Sequence, residues 1–145
     1  MVAVLDAQAL EAFLRDEPAA LRVEQILTSG EHVLMAATNL AETFDRLKRV
    51  HRAETATLVA DMFETGVHFS TVDLDLAVEA AELRAAHYHR VHRAVSLSDC
   101  TAAALALDRG ARLATSDPAL LELVVAEGGD VEPLPGSNGS VWIRR

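Results

Sequence analysis

Five short apolar runs, separated by segments with helical spacing, constrain the fold of this chain more than any other feature of its sequence. They cover residues 2–5, 33–36, 67–72, 112–114 and 131–134. The first run has no polar alternation, which is typical of a strand buried on both faces. Strands joined by helices need crossover connections, which are right-handed and favour a parallel sheet. The pattern therefore predicts a three-layer α/β/α fold in which helices flank a central, mostly parallel sheet.

Capping signals predict where several of the intervening helices begin. Asn39 followed by Glu42 has the spacing of a capping box, and Ser98 is expected to be the N-cap of a later helix. Asp117 directly precedes Pro118, and this pair indicates another helix start. Because no repeat or long linker divides the sequence, we expect one domain over residues 1–145. Its turn-rich residues 136–145 are expected to form a loosely attached tail.

Composition narrows the classes of protein that this chain can belong to. Its 145 residues suffice to form a hydrophobic core that needs no disulfide bonds. The chain has a single cysteine, so it cannot form an intramolecular disulfide bond. No apolar run is long enough to span a membrane, and the first residues reach an acid too early for a signal peptide. We therefore expect a cytoplasmic protein without membrane contact.

The charge balance limits how the chain could bind nucleic acid. Thirteen basic and 22 acidic side chains give a net charge of −9. A protein that binds nucleic acid through general electrostatics alone should be basic. A nucleic-acid substrate would therefore have to be held by local basic patches or by metal ions that reverse the sign of an acidic site.

Four carboxylates fall where strands end or helices begin. Asp6 directly follows the first apolar run, Asp117 comes shortly after the run at 112–114, and Glu42 and Asp99 are expected in the first turns of helices. Since ligands bind at the carboxyl ends of parallel strands, we expect these side chains to converge there. Crowded carboxylates repel one another unless a divalent cation lies between them, and Mg²⁺ or Mn²⁺ prefers such oxygen ligands. The cation would activate a water and stabilise charge on a phosphoryl transition state.

Each acid also has a structural interpretation, which the sequence alone leaves open. Glu42 and Asp99 would stabilise helix N-termini, and Asp117 before a proline is an ordinary N-cap. Asp6 has the weakest structural explanation, because an acid that ends a buried strand is costly unless it binds something.

Four short motifs, taken together, carry a family resemblance. They are Val4-Leu5-Asp6-Ala7-Gln8-Ala9-Leu10, Asn39-Leu40-Ala41-Glu42-Thr43, Leu97-Ser98-Asp99-Cys100-Thr101 and Leu113-Ala114-Thr115-Ser116-Asp117. In this order and separation, across nearly the whole chain, the sequence resembles PIN-domain nucleases, and most closely VapC-type toxin ribonucleases of type II toxin–antitoxin systems. The resemblance implies a Mg²⁺- or Mn²⁺-dependent endoribonuclease that cleaves RNA phosphodiesters. It makes Asp6, Glu42, Asp99 and Asp117 the catalytic and metal-binding acids, with Thr115, Gln8 and Ser98 in support.

Two positions depart from the family pattern. Gln8 stands where the family usually has a small hydroxyl or amide residue, although its longer side chain could still form a hydrogen bond. After Asp117, where the family often has an acid and an aromatic residue, this chain continues with Pro118 and small or aliphatic residues. The four principal acids are intact.

The resemblance also implies partners. A VapC-like toxin would act on RNA, would be neutralised by a cognate antitoxin that covers its acidic groove, and would form a homodimer. The apolar helices around residues 21–27 and 58–63 could supply the dimer face.

Two basic stretches could hold RNA on an otherwise acidic protein. The candidate phosphate contacts are Arg84, Arg90 and Arg93, which are interleaved with His87, His89 and His92, and Arg46 and Arg49 in the second stretch. The competing interpretation is a solvated basic helix end that complements the helix dipole.

Other functions fit the motifs less well. A nucleotide-cofactor enzyme would need a glycine-rich turn after the first strand, and the segment after Asp6 has none. A haloacid-dehalogenase-like phosphatase would need a second acid where Gln8 stands. A catalytically inactive PIN-like scaffold that binds RNA or protein stays open as the alternative, and it would show no metal-dependent cleavage.

Overall fold

A five-stranded, all-parallel sheet organises the chain in the computed structural model, which describes residues 1–145. In chain order the strands are β1 Val2–Leu5, β2 His32–Ala36, β3 His68–Ser70, β4 Arg112–Thr115 and β5 Asp130–Pro133. Their order across the sheet is β3-β2-β1-β4-β5. The five predicted strands are confirmed, although the third is shorter than residues 67–72.

Seven helices connect and cover these strands. They are α1 Ala7–Leu14, α2 Ala20–Thr28, α3 Ala37–Arg49, α4 Thr55–Thr65, α5 Leu74–His87, α6 Leu97–Arg109 and α7 Pro118–Ala126. No helix is long and apolar enough to cross a membrane.

The core lies on both faces of the sheet. On one face Val4 and Leu34 pack with residues of α5, α6 and α7, such as Leu105 and Leu123. On the other face, the next strand residue, Leu5, packs with residues of α1, α2 and α4. Each large side chain buried in this way contributes about 1.5–3 kcal/mol. The predicted three-layer α/β/α fold, with its first strand buried on both faces, is confirmed.

The chain reverses its direction across the sheet at β1. From β1 it proceeds through β2 to β3, and it then returns to place β4 on the other side of β1. The register pairs Leu5 with Ala114, so the carboxyl ends of β1 and β4 lie side by side. In parallel α/β sheets, ligands bind in the crevice at such a switch point. This edge of the sheet is therefore where a site is expected.

Two predicted helix starts are wrong. Helix α3 begins at Ala37 with Ala36 as its N-cap, so Asn39 lies inside the helix and Glu42 lies in its second turn. Helix α6 begins after Ser96, which is its N-cap in place of Ser98. The start of α7 after Asp117 is confirmed.

The last ten residues form no helix or strand. Gly136 and Ser140 are joined by a backbone hydrogen bond of 2.8 Å, which closes a turn. Trp142 and its neighbours border a groove along α7, with Glu122, Val125 and Ala126 on its wall. That residues 1–145 form one domain with a loosely attached tail stays a prediction.

Candidate active site at the carboxyl edge of the sheet

Asp6 directly follows β1 at the switch point and is almost completely buried, with 2% of its surface exposed. It is the N-cap of α1, where its Oδ1 accepts a hydrogen bond from the backbone N–H of Ala9 at 2.9 Å. Its Oδ2 accepts a short hydrogen bond from the hydroxyl of Thr115, the last residue of β4. The pairing of β1 with β4 makes this contact possible. The predicted supporting role of Thr115 is consistent with this geometry.

The charge state of Asp6 is strongly perturbed. Burial raises the pKa of its carboxyl from 3.8 to about 7, although the hydrogen bonds from Thr115 and Ala9 oppose the change. The negative charges of Asp99 and Asp117 raise this pKa further. Asp6 therefore lies within electrostatic reach of both acids.

Asp117 approaches from the next connection along the sheet. As the N-cap of α7, its Oδ1 accepts a hydrogen bond from the backbone N–H of Ala119 at 2.9 Å. Its own N–H donates to the Thr115 hydroxyl oxygen at 3.1 Å, so Thr115 connects Asp117 to Asp6. Burial, followed by repulsion from Asp99, raises the pKa of Asp117. Asp117 is thus both the N-cap of α7 and an acid within electrostatic reach of Asp99.

Asp99 enters from the first turn of α6. Its Oδ2 accepts from the backbone N–H of Ser96 at 2.8 Å, and the Ser96 hydroxyl accepts from the backbone N–H of Asp99 at 3.0 Å. This reciprocal pair is a capping box, which fixes one carboxylate oxygen of Asp99. The negative charge of Asp99 raises the pKa of both Asp6 and Asp117.

Glu42 is held by Ser98, the residue before Asp99 in α6, and its charge is not among those that raise the pKa of Asp6 or Asp117. The hydroxyl of Ser98 donates to Oε2 of Glu42 at 2.8 Å. The side-chain amide of Asn39 donates to the carbonyl and the hydroxyl oxygen of Ser98, at 3.1 and 3.0 Å. The backbone carbonyl of Ser98 can only accept a hydrogen bond, so the side-chain group of Asn39 that contacts it must be the NH₂ group. The Ser98 hydroxyl oxygen therefore accepts from Asn39, and its proton is free to be donated to Glu42. Ser98 is therefore a positioning residue for Glu42 and not a helix cap.

Asn39 itself is fully buried, and its side-chain oxygen has no hydrogen-bond partner in the chain. A buried acceptor left unpaired costs about 1–3 kcal/mol. The sequence singled out Asn39 only as a cap, because its contact with Ser98 spans 59 residues and leaves no local pattern.

The donor set suits a divalent cation, although it is not closed around one. No three aspartate, glutamate, histidine or cysteine side chains are close enough together to hold a metal ion. Asp6, Asp99 and Asp117 nevertheless repel one another, and a cation between them would remove that repulsion. Carboxylate oxygens are the ligands that Mg²⁺ and Mn²⁺ prefer. The chemistry of these donor groups therefore fits such an ion.

A polar cavity of 490 Å³ borders Asp117, the only one of the four candidate acids that lines it. Asp117, Ser116, Gln8, Arg46 and Glu11 are among its lining residues. The Ser116 hydroxyl donates to Oε1 of Gln8 at 3.3 Å, so Gln8 can form the hydrogen bond that its longer side chain was expected to allow.

The predicted RNA-binding arginines are distributed over different surfaces. Arg84 donates to the carbonyl of Val95 at 3.0 Å and lies over the ring of Tyr88. Arg93 contacts Nδ1 of His87 at 2.7 Å. Arg90 is exposed in the turn between them, Arg49 pairs with Asp45 at 3.1 Å, and Arg46 lines the cavity beside the acids.

Solved structures with the same fold come from several bacteria. VapC20 of Mycobacterium tuberculosis, described as a toxin that cleaves the sarcin–ricin loop, is 23% identical with a TM-score of 0.65; the match covers 88% of this chain and 95% of that one. VapBC2 of Rickettsia felis, bound to a DNA fragment from its promoter, is 15% identical with a TM-score of 0.63, and the match covers 91% and 98%. A toxin–antitoxin complex from Klebsiella pneumoniae is 19% identical with a TM-score of 0.59, covering 79% and 86%.

Sequence comparison assigns the family directly. No curated protein is significantly similar to the chain in sequence. The sequence model of the PIN domain, however, matches residues 3–125, a span that contains Asp6, Glu42, Asp99 and Asp117. This chain belongs to the PIN domain family.

Proposed function

We propose that this protein is a divalent-cation-dependent endoribonuclease that acts as the toxin of a toxin–antitoxin pair. The observation that carries the proposal is the hydrogen-bonded link from Asp6 through Thr115 to Asp117 at the switch point, with the nearby charge of Asp99 acting on both acids. Membership of the PIN domain family and the shared fold with VapC20 support a nuclease.

The chain's own residues have distinct roles in this proposal. Asp6, Asp99 and Asp117 would hold Mg²⁺ or Mn²⁺, with Glu42 completing the site from α3. Thr115 positions Asp6, and Ser98 positions Glu42, through the hydrogen bonds described above. When bound, the cation would supply an activated water and neutralise charge on the phosphodiester. No arrangement of serine or cysteine with a histidine base is needed for this chemistry.

RNA would be gripped by local cations, since the chain carries a net charge of −9. Arg46 is the best placed of the predicted arginines because it lines the cavity next to Asp117. Arg90, exposed in its turn, is free to contact a more distant phosphate, and Arg84, Arg93 and Arg49 would contribute through their remaining N–H groups.

An antitoxin and a second copy of the chain complete the proposed assembly, which would act in the cytoplasm. The Klebsiella pneumoniae structure is a toxin–antitoxin complex. Both apolar segments singled out by sequence expose large side chains, Leu21 at 66% and Phe63 at 84%. Such exposed side chains are suited to a protein interface.

Chelation tests the proposal. Purified protein should cleave a structured RNA in the presence of Mg²⁺ or Mn²⁺, and excess EDTA should reduce the rate to background because the acids alone cannot activate water. Restoring Mn²⁺ should restore the rate. Cleavage that persists after complete chelation would contradict the mechanism, whereas tight RNA binding without cleavage would favour the inactive scaffold.

A further inference from the structure

The cavity that borders Asp117 is lined by arginine, glutamine and serine side chains as well as by acids. It has a volume of 490 Å³, within the range of small-ligand pockets, and only two of its 14 lining residues are hydrophobic. Residues of α1, of α3, of the connection from α1 to α2 and of the connection from β4 to α7 surround it, together with residues 135–137. Arg15 and Glu17 in the first of these connections form an ion pair at 2.6 Å. Its wall includes Asp117, so a molecule in the cavity would lie next to the proposed cleavage site.

Glu11 is the unusual residue in this cavity. Its side chain is only 7% exposed, although it ends in a carboxyl group. The nearest cation is Arg46, whose Nε lies 2.9 Å from Oε2, and Arg15 and His51 each approach Oε1 at 3.9 Å. A buried carboxylate is costly unless it is paired. This ion pair places Nε of Arg46 beside α1.

The other edge of Arg46 is available to a ligand. The pairing with Glu11 uses Nε, the side chain is 52% exposed, and its two terminal NH₂ groups donate no hydrogen bond within the chain. A guanidinium fork of this kind matches a phosphate group. On the same wall, Gln8 accepts from Ser116 through Oε1, which leaves both protons of its side-chain amide free.

We infer that this cavity binds one nucleotide of the RNA strand, adjacent to the phosphodiester that is cut. Arg46 would hold the phosphate of that nucleotide, Gln8 and Ser116 would contact its sugar or base, and Glu11 would act as a positioning residue for Arg46. The inference rests on the proposed function and adds a binding subsite to it. A nucleotide in this position would orient the strand before the chemical step.

Mononucleotide binding tests the subsite without requiring catalysis. Metal-free, EDTA-treated protein is titrated with each of the four ribonucleoside 5′-monophosphates while backbone amide NMR shifts are recorded. Saturable shifts are expected at Gln8, Arg46 and Ser116. Arg46→Ala should weaken binding by about tenfold or more, and Gln8→Ala, at an exposed position, should weaken it several-fold with the fold intact. Inorganic phosphate and the unphosphorylated nucleosides should each bind more weakly than the nucleotides.

The chain offers a matched control for Arg46. Arg109 is also 52% exposed and also lies near a carboxylate, with its Nε 3.6 Å from Asp108, but it belongs to the last turn of α6. Arg109→Ala should bind nucleotides like the wild type. In RNA cleavage, Arg46→Ala should raise KM about tenfold at nearly constant kcat, and Arg109→Ala should change neither.

The outcomes separate this inference from the proposed function. If nucleotides bind as described but RNA is not cut, the nuclease proposal fails and the subsite stands. The subsite is overturned if none of the nucleotides shifts the cavity residues, or if Gln8→Ala and Arg46→Ala bind nucleotides as tightly as Arg109→Ala. It is also overturned if phosphate alone binds as tightly as the nucleotides.

Discussion

Replacing Asp6 with asparagine is expected to lower the rate of RNA cleavage by more than about 100-fold. Even a residue that only supports a metal ligand typically changes affinity or activity by about 10–100-fold, so loss of a charged ligand should cost more. Asparagine has nearly the same size and can still accept from the N–H of Ala9, so the change removes charge and leaves the packing of β1 intact. Single-turnover kinetics at saturating Mn²⁺ measure the effect.

Asp130→Asn provides the control for this substitution. Asp130 is exposed at the start of β5, at the opposite end of the strands from Asp6. The Asp130→Asn variant should therefore cleave RNA at the wild-type rate. Asp6→Asn should still bind RNA, since the arginines are unchanged. If Asp6→Asn retained more than about a tenth of the wild-type rate, Asp6 would not be a principal ligand.

The same substitution should stabilise the metal-free protein at neutral and alkaline pH. The pKa of Asp6 is about 7 in the folded chain against an ordinary value of 3.8, so between these values the folded state binds a proton that the unfolded state has released. Stability therefore falls as pH rises through this window, and the full penalty applies above about pH 7. The difference corresponds to up to about 4 kcal/mol. Asp6→Asn removes this penalty.

Urea unfolding in EDTA at pH 4, 6 and 8 measures this effect. The free energy of unfolding of Asp6→Asn should exceed that of the wild type by several kcal/mol at pH 8, and the gain should shrink towards zero near pH 4. Mn²⁺ at pH 8 should stabilise the wild type more than the variant, because only the wild type offers the third charge. A gain that is the same at pH 4 and pH 8 would refute the buried-charge explanation.

The sequence predicted the fold class well because the strands carry their own signal. Val2–Leu5 is apolar at every position, and both faces of β1 are buried. Asp6 was found for the same reason, since an acid directly after such a run stands out. The order β3-β2-β1-β4-β5 was not predicted, because the pairing of strands distant in sequence depends on packing that no local pattern records.

Helix starts were harder to predict, and α6 shows why. Ser96 and Ser98 both precede Asp99 and either could serve as a cap. The capping-box rule favours Ser96, which stands three residues before the acid, and the structure has that arrangement. The family resemblance placed Ser98 in support of the acids, and its hydroxyl is free for Glu42 because it does not cap the helix.

Glu11 was missed for a different reason. It lies among Ala7, Ala9, Leu10 and Ala12, all buried, and a charge on such a segment is a detectable signal. Its partner Arg46 is 35 positions away along the chain, however, so only the packing of α1 against α3 brings the two together. The sequence likewise treated the basic stretch that contains Arg84 and Arg93 as one surface. Only the folded chain shows that each arginine has its own intramolecular partner.

The most direct test of the account is to locate a bound Mn²⁺ ion by anomalous diffraction from crystals of the wild-type protein soaked in MnCl₂. The account predicts an anomalous peak at the carboxyl edge of the sheet, roughly 2.0–2.3 Å from carboxylate oxygens of Asp6 and at least one of Asp99 and Asp117. The same soak of Asp6→Asn crystals should give a much weaker peak or none. A wild-type map with no peak within coordination distance of Asp6, at a Mn²⁺ concentration that supports cleavage, would contradict the central claim.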